Sequence, residues 1–245
     1  MDVIINGAAG RMGHVLAGLE GFAGSRVVAK VDRAYERSTN ALQFSSLADV
    51  PADGVVLDFS NHTGTEQLLA TCVERGLPVV IATTGHTPEE RALVEQAARS
   101  VPMFFAPNMS LGVALLMDLA RTVAAALPDA QIEIVEAHHD QKLDVPSGTA
   151  LGIARAIQEV RPNATLNVGR HENGKRTNDE IGIHSLRIGT VVGVHEVLVS
   201  TGAETITLKH EAHDRALFAQ GALRAAAFLA GQGPGLYGMR DLIAH

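Results

Sequence analysis

One cysteine, Cys72, in 245 residues leaves no material for a disulfide framework. Its setting, the apolar and helix-spaced TEQLLATCVERG, points to core packing and to a reducing compartment. Basic residues are also in deficit: 20 Lys and Arg against 27 Asp and Glu give a net charge of −7. That balance removes the footprint of a nucleic-acid binder, although it leaves room for a local positive pocket that takes a small anion. Long apolar runs are missing too. The most apolar helical stretch, VALLMDLARTVAAAL, is interrupted by Asp118 and Arg121, whereas a membrane span needs about 20 predominantly apolar residues. No basic-then-apolar leader precedes DVIINGAAG, so export is not expected and the chain reads as soluble and cytoplasmic. Repeats, low-complexity tracts and long charge runs are absent as well. What is present, 46% hydrophobic and 19% charged residues, suffices for a sizeable core in one large or two modest domains.

Through the first half, the β-branched runs DVIIN, RVVAKVD, GVVLDFS, PVVIATT and PMFFAP are each expected to be followed by a stretch of helical period. That order predicts a parallel sheet covered on both faces. Gly76 before Pro78 closes one helix; Thr87, Pro88 and two glutamates open the next. After Pro128 the pattern changes to QIEIVEAHH, HSLRIG, GVHEVLVS and ETITLKH, strands with few helices between them that suit an open mixed or antiparallel sheet. The last helix, ALFAQGALRAAAFLAG, resembles those of the first half and is expected to pack back on that domain. A substrate domain would then be inserted, over roughly 110–215, between two parts of a dinucleotide domain, 1–109 and 216–245.

The first strand runs into GAAGRMG, where Gly7, Gly10 and Gly13 frame the turn into a helix. Small residues there let backbone N–H groups approach a pyrophosphate at a helix N-terminus, whose partial charge favours the anion. A tight strand-to-helix turn is the plain alternative. The second strand ends at Asp32, near the interval at which a carboxylate can accept both hydroxyls of an adenosine ribose. Asp32 could equally cap a turn, and Arg33 could be a surface charge; as a pair they offer an acceptor for a 2′-hydroxyl and a donor for a 2′-phosphate. Use of both NADH and NADPH is expected on that basis.

EAHHDQKLDVPSGTAL is the second conspicuous stretch. Adjacent residues on an extended segment point to opposite faces, so His138 and His139 do not share a metal ion, and none is predicted. His210 and His213 are spaced H-x-x-H without a partnering carboxylate pattern and read as surface or packing residues, as do His184 and His195 in their strands. The loop does supply a proton donor near neutral pH, a cation in Lys142, and a helix start at SGTALGIARAIQEV, with Leu151, Ala154, Ile157 and Val160 at helical spacing until Pro162. Ser147 or Thr149 can cap that helix, and Gly148 lets an oxyanion reach its free N–H groups. An N-capped helix with a polar lead-in explains Ser147 to Thr149 but leaves HHDQK without a purpose.

GAAGRMG, VVLDFS, IATTGHTPEE, FAPNMSLGV, EAHHDQKLDVPSGTAL and GLYGMRDLI are together similar to the 4-hydroxy-tetrahydrodipicolinate reductase (dihydrodipicolinate reductase) family of diaminopimelate and lysine biosynthesis, over essentially the whole chain. The resemblance implies an α/β fold: a Rossmann-like, doubly wound parallel sheet plus a mixed α+β substrate and oligomerisation domain, assembled as a homotetramer. It implies NADH or NADPH as cofactor, held by Gly7, Ala8, Ala9, Gly10, Arg11 and Met12, by Asp32 and Arg33, by Ala82, Thr83 and Thr84, and by Ala106, Pro107, Asn108 and Met109. His138 matches the family's acid-base histidine and Lys142 its catalytic lysine. His139, Gly148 and Thr149 match its contacts to a small dicarboxylate substrate. Departures are Ala9 for a frequent glycine, Ala82 where GTTG is common, and His86 where phenylalanine is frequent. Two rivals remain: another two-domain dehydrogenase acting on a hydroxyl or semialdehyde, which would lack the anchor at Gly148 and Thr149, and a dinucleotide-sensing module without acid-base groups, against which His138 and Lys142 both argue.

Overall fold

The structure is a computed structural model that describes residues 1–244, and it divides into two compact units, Met1–Ser110 with the segment from Ala216 onward, and Leu111–Arg215. In the first unit lie β1 (Asp2–Asn6), α1 (Arg11–Gly18), β2 (Arg26–Val31), β3 (Gln43–Phe44), β4 (Val55–Asp58), α2 (Thr65–Arg75), β5 (Val79–Ile81), α3 (Pro88–Ala97) and β6 (Pro102–Phe105). The second holds α4 (Leu111–Ala126), β7 (Gln131–His138), α5 (Gly148–Gln158), β8 (Thr165–Val168), β9 (Glu180–Arg187), β10 (Gly193–Ser200) and β11 (Thr205–Ala212). The chain then returns to the first unit with α6 (Ala216–Leu229), β12 (Gly235–Tyr237) and α7 (Met239–Ile243).

The first sheet runs β3-β2-β1-β4-β5-β6-β12, with every pairing parallel. This is the doubly wound order, and it reverses between β1 and β4, where the loops leaving the two strands diverge and open a crevice. Both faces are covered, as the continuous β-branched runs predict: Val3, Ile5, Leu57, Val80 and Phe104 pack with Leu16 of α1 and with α6, while Ile4, Val56, Val79 and Met103 pack with α2 and α3. Gly76 ends α2 in the left-handed region at φ 67°, and Thr87 opens α3 in a reciprocal capping box with Glu90. Cys72 is fully buried within α2; burial pushes its thiol up to about 12, which makes it an inert core residue.

The expected alternation fails once. β2 is followed by no α-helix: residues 33–54 carry two short 3-10 turns and the two-residue strand β3. The segment RAYERSTNALQFSSLADVPADG is polar and lacks an apolar stripe with which a helix could pack on the sheet. The edge strand β12 was also not foreseen, because three residues, Gly-Leu-Tyr, are too few to show a period.

The second sheet is mixed, in the order β11-β10-β7-β9-β8: β10 is antiparallel to β11 and β7, whereas β9 is parallel to β7 and β8. α4 and α5 cover one face through Leu116, Ala120, Ile153, Ala154 and Ile157 against Ile132, Ile134, Ile181, Ile183, Val197 and Val199. α5 is shorter than its sequence spacing suggests. Its buried stripe is Ala150, Ile153, Ala154 and Ile157, Leu151 is half-buried, and Val160 lies beyond the helix and 36% exposed.

Candidate functional site

The crevice at the strand-order reversal is a cleft of about 500 Å³ lined by Gly7, Gly10, Asp32 and Arg33 among others. Gly7 sits at φ +83°, and a side chain there would press into the Phe59 carbonyl at 2.5 Å. Gly13 on α1 lets the helix close on the loop, since a Cβ would lie 2.5 Å from the Gly7 oxygen. α1 begins at Gly10 with no side-chain cap and no acidic residue in its first turn, so its leading N–H groups are left for an external anion. This is the donor set a pyrophosphate requires. Ala9 needs no glycine: its backbone is not left-handed, and its N–H donates to Asp32 Oδ2 at 3.0 Å. Asp32 is also a cap, Oδ1 accepting the Ala34 N–H at 3.0 Å. Each carboxylate oxygen has a second acceptor position, so the capping and ribose readings of Asp32 are compatible. Arg33 is exposed beside it.

Ala82, Thr83 and Thr84 follow β5, and Ala106 to Met109 follow β6; Ala82, Thr83, Ala106 and Met109 are buried, Asn108 is half-buried, and Thr84 and Pro107 are exposed. The buried carboxylate of Asp58 at the end of β4 ties the loop after β5 to those after β1 and β4. Oδ1 accepts from Asn6 Nδ2 at 2.7 Å and Ser60 Oγ at 2.6 Å, and Oδ2 accepts from Thr83 Oγ1 at 2.6 Å. Thr83 Oγ1 in turn accepts the Ser60 N–H. His86 fills an aromatic position: it is buried, packs edge-on to Phe105 at 5.3 Å, and its Nε2 lies 2.9 Å from Thr65 Oγ1.

In the second unit the same period of two that buries isoleucines carries polar groups onto one face. Along β7 the buried positions are Ile132, Ile134, Glu136 and His138; on β9 Ile181 and Ile183 lead to Arg187; on β10 Val199 and Val197 lead to His195. Register sets His195 opposite Glu136 and Arg187 opposite His138. Glu136 is wholly buried and takes two bonds from Arg187, Nη1 to Oε2 and Nη2 to Oε1, both at 2.9 Å. Its Oε2 also meets His138 Nδ1 at 2.6 Å, and its Oε1 accepts the Ser147 N–H at 3.2 Å. Burial alone would raise this carboxyl, but Arg187, with Ser185, His138 and the Ser147 N–H, outweighs it and holds the group at about 2. His138 is held below its ordinary range, mainly by burial and further by the positive charges of Lys142 and Arg187; Glu136 opposes them.

With Nδ1 engaged, Nε2 is the His138 nitrogen left for chemistry. Gly193 lies beside it; a side chain there would come within 3.1 Å of Nε2. His139 is half-buried, and its carbonyl accepts the Lys142 N–H. Lys142 Nζ lies 2.8 Å from Asp144 Oδ1. Burial would raise Asp144, but it is held below the usual carboxylate range by Lys142, with the Gly148 N–H adding to the effect. One carboxylate of the chain therefore rests on the lysine and on the first N–H of α5. Gly148 is exposed, with open space where a Cβ would be, and Thr149 is half-buried next to it. Ser147, rather than Thr149, caps the helix, its Oγ accepting the Ala150 N–H at 3.1 Å.

Glu136, Arg187, Ser147 and His195 are the groups sequence reading gave no catalytic part. Glu136 stood inside the recognised string, and Arg187 in HSLRIG, with only the period-two continuation of the isoleucine face to single them out. His195, read as packing or surface, is 3% exposed with its ring centroid 5.1 Å from that of His138. His210 is half-buried on β11, His213 is exposed, and His184 bonds Glu133 at 2.9 Å. Among the described residues no group of three or more His, Cys, Asp or Glu is placed to hold a metal, and no helix is long and apolar enough to cross a membrane.

Comparison with known proteins matches residues 1–109 to the family model "Dihydrodipicolinate reductase, N-terminus" and residues 112–243 to "Dihydrodipicolinate reductase, C-terminus". A 4-hydroxy-tetrahydrodipicolinate reductase of Caldanaerobacter subterraneus is 45% identical, covering 98% of this chain and 97% of that one; one of Clostridium novyi is 39% identical at the same coverage. Among solved structures, a dipicolinate-bound dihydrodipicolinate reductase from Paenisporosarcina superposes with a TM-score of 0.81 at 28% identity, over 98% of both chains.

Proposed function

Because the chain belongs to the dihydrodipicolinate reductase family, we propose how its residues divide the labour of that reaction. The protein is an NAD(P)H-dependent oxidoreductase that reduces 4-hydroxy-tetrahydrodipicolinate to tetrahydrodipicolinate in diaminopimelate and lysine biosynthesis. When bound, the reduced nicotinamide supplies hydride to C4 of the conjugated cyclic imine formed by loss of the hydroxyl. The cradle at Gly7, Ala8, Ala9, Gly10, Arg11 and Met12 holds the pyrophosphate, Asp32 and Arg33 the adenosine ribose, and the loops Ala82–Thr84 and Ala106–Met109 the remainder.

The enamine so formed needs a proton at C3, and His138 delivers it from Nε2. The observation that carries this assignment is the His138–Glu136–Arg187 chain, which commits Nδ1 inward and leaves Nε2 for the substrate. A dianionic substrate beside His138 favours its protonated form, countering the burial that holds the free ring neutral. Lys142 binds one carboxylate and the Gly148 and Thr149 N–H groups, with His139, the other, each arrival displacing Asp144. Dipicolinate in the Paenisporosarcina structure supports a small dicarboxylate as ligand. Lys142→Ala is expected to weaken both KM and kcat, since a charge-assisted contact of about 1.5–3 kcal/mol is lost; unchanged steady-state kinetics would return Lys142 to the solvated surface.

We further place the protein in the cytoplasm as a homotetramer joined through the second unit. Val135, Ala137, Val194 and Leu198 lie on the sheet face away from α4 and α5, where a second sheet would cover them. Native mass and cell fractionation test both statements.

The deciding experiment for the reaction couples the protein to dihydrodipicolinate synthase and follows NADH and NADPH oxidation separately. Activity with both is expected, at efficiencies within roughly two powers of ten, about 2.7 kcal/mol. Asp32 favours the free ribose diol and Arg33 the 2′-phosphate, so Arg33→Ala selectively harms NADPH, by up to about 3 kcal/mol, and leaves NADH kinetics nearly unmoved. Equal losses for both cofactors would make Arg33 structural, and strict rejection of NADPH by the unaltered protein would show that Asp32 dominates.

A further inference from the structure

Four residues close a ring on the covered face of the second sheet. Glu136 Oε2 meets His138 Nδ1; the His138 ring stands edge-to-face on His195 at an interplanar angle of 71°; His195 Nε2 lies 3.1 Å from Ser147 Oγ; and the Ser147 N–H returns to Glu136 Oε1. His138 is the proposed proton donor, and Ser147 starts the helix whose first N–H groups take a substrate carboxylate. Glu136 reaches both the donor ring and the Ser147 backbone N–H, and His195 touches the same two residues from the other side, meeting the His138 ring and the Ser147 hydroxyl that caps the helix. We infer that His195 is a positioning residue, which fixes the general-acid ring and the carboxylate-binding helix start at one mutual spacing.

A purely space-filling role does not account for a histidine at this place. The ring is 3% exposed, and its Nδ1 has no hydrogen-bond partner among the described residues. A buried polar atom without a partner costs free energy that a phenylalanine of similar shape would not incur. The polar ring is kept for what Nε2 does. Ser147 Oγ already accepts the Ala150 N–H, and its contact with His195 fixes the rotamer in which it can do so. The ring face meanwhile limits rotation of His138 about its bond to Glu136, and Gly193, on the same strand as His195, leaves the Nε2 side open.

The two contacts can be separated by substitution. His195→Phe keeps a ring against His138 and loses the bond to Ser147; His195→Gln places an amide nitrogen near the position of Nε2 and loses the ring. The inference rests on His138 as proton donor and on the start of α5 as carboxylate anchor. His138→Gln is therefore assayed in parallel: retained turnover there sinks that reading whatever the His195 variants do. With the reading intact, His195→Phe should raise the dicarboxylate KM, and the inhibition constant of dipicolinate, about tenfold while kcat stays within about threefold. His195→Gln should lower kcat about tenfold with KM within about threefold. Opposite selectivity in the two variants supports the positioning role. Losses of kcat and KM in the same ratio in both, in step with a lowered melting temperature, or no change in either, would overturn it.

Discussion

His138→Gln lowers kcat about 100-fold or more and moves KM far less, because the amide can fill the space near Nε2 but cannot release a proton to carbon. The pH profile carries the same information by a second route. The acid must be protonated to act, so the kcat/KM of the unaltered enzyme falls as pH rises through the lowered His138 pKa of the free protein. In kcat that limb appears at higher pH, because bound dianion favours the protonated ring. The variant, having no acid, loses both limbs. A variant that keeps near-normal turnover, or keeps the limbs, would mean that another group or water supplies the proton.

Arg187→Met has the largest expected effect on stability. It leaves the Glu136 carboxylate in the sheet with only Ser185, His138 and the Ser147 N–H to offset its burial, and removing one partner of a buried ion pair costs about 3–5 kcal/mol. For a chain of this size the apparent melting temperature should fall by about 10 °C at pH 7. The pH dependence follows from the depressed carboxyl. Glu136 titrates near 4.5 in the unfolded chain and at about 2 in the folded one, so it contributes about 3 kcal/mol above pH 4.5, a contribution lost as pH falls towards 2. In the variant, burial without the guanidinium raises the folded value instead. The difference in melting temperature should therefore be full at pH 6–7 and shrink towards pH 3. A gap independent of pH would show that Arg187 acts through packing alone. The double variant Glu136→Gln with Arg187→Met should recover part of the loss, since no uncompensated charge remains.

Five strands of the first sheet, β1, β2, β4, β5 and β6, were legible because each is a short apolar run between turn signals, and GAAGRMG and Thr87 to Glu90 announce their helices by capping chemistry that is local in sequence. Residues 33–54 carry no period and gave no such signal. The acid-base cluster was half legible for a related reason. His138 at the end of β7 and Lys142 in the loop that follows lie four residues apart, but Glu136 and Arg187 are 51 residues apart and Ser147 and His195 48 apart. Their encounters depend on the pairing register of β7 with β9 and β10, which no single stretch of sequence displays. Asp58 was missed for the opposite reason: it ends an apolar strand where an exposed carboxylate is ordinary, and only its three donors, from Asn6, Ser60 and Thr83, reveal a buried junction of three loops.

Building the first unit from both ends of the chain governs the order in which a ribosome can complete it. When residue 110 has emerged, Val3, Ile5, Leu57, Val80 and Phe104 have Leu16 of α1 beside them but lack the cover that α6 will bring with Ala219, Ala222, Leu223, Ala226 and Leu229. The inserted 105 residues of Leu111–Arg215, with their own core, are translated first. At about 5–20 residues per second, the N-terminal half waits at least several seconds with an apolar sheet face open to other chains. The second unit can fold during synthesis, whereas the dinucleotide cradle gains its full support only when nearly the whole polypeptide has been made.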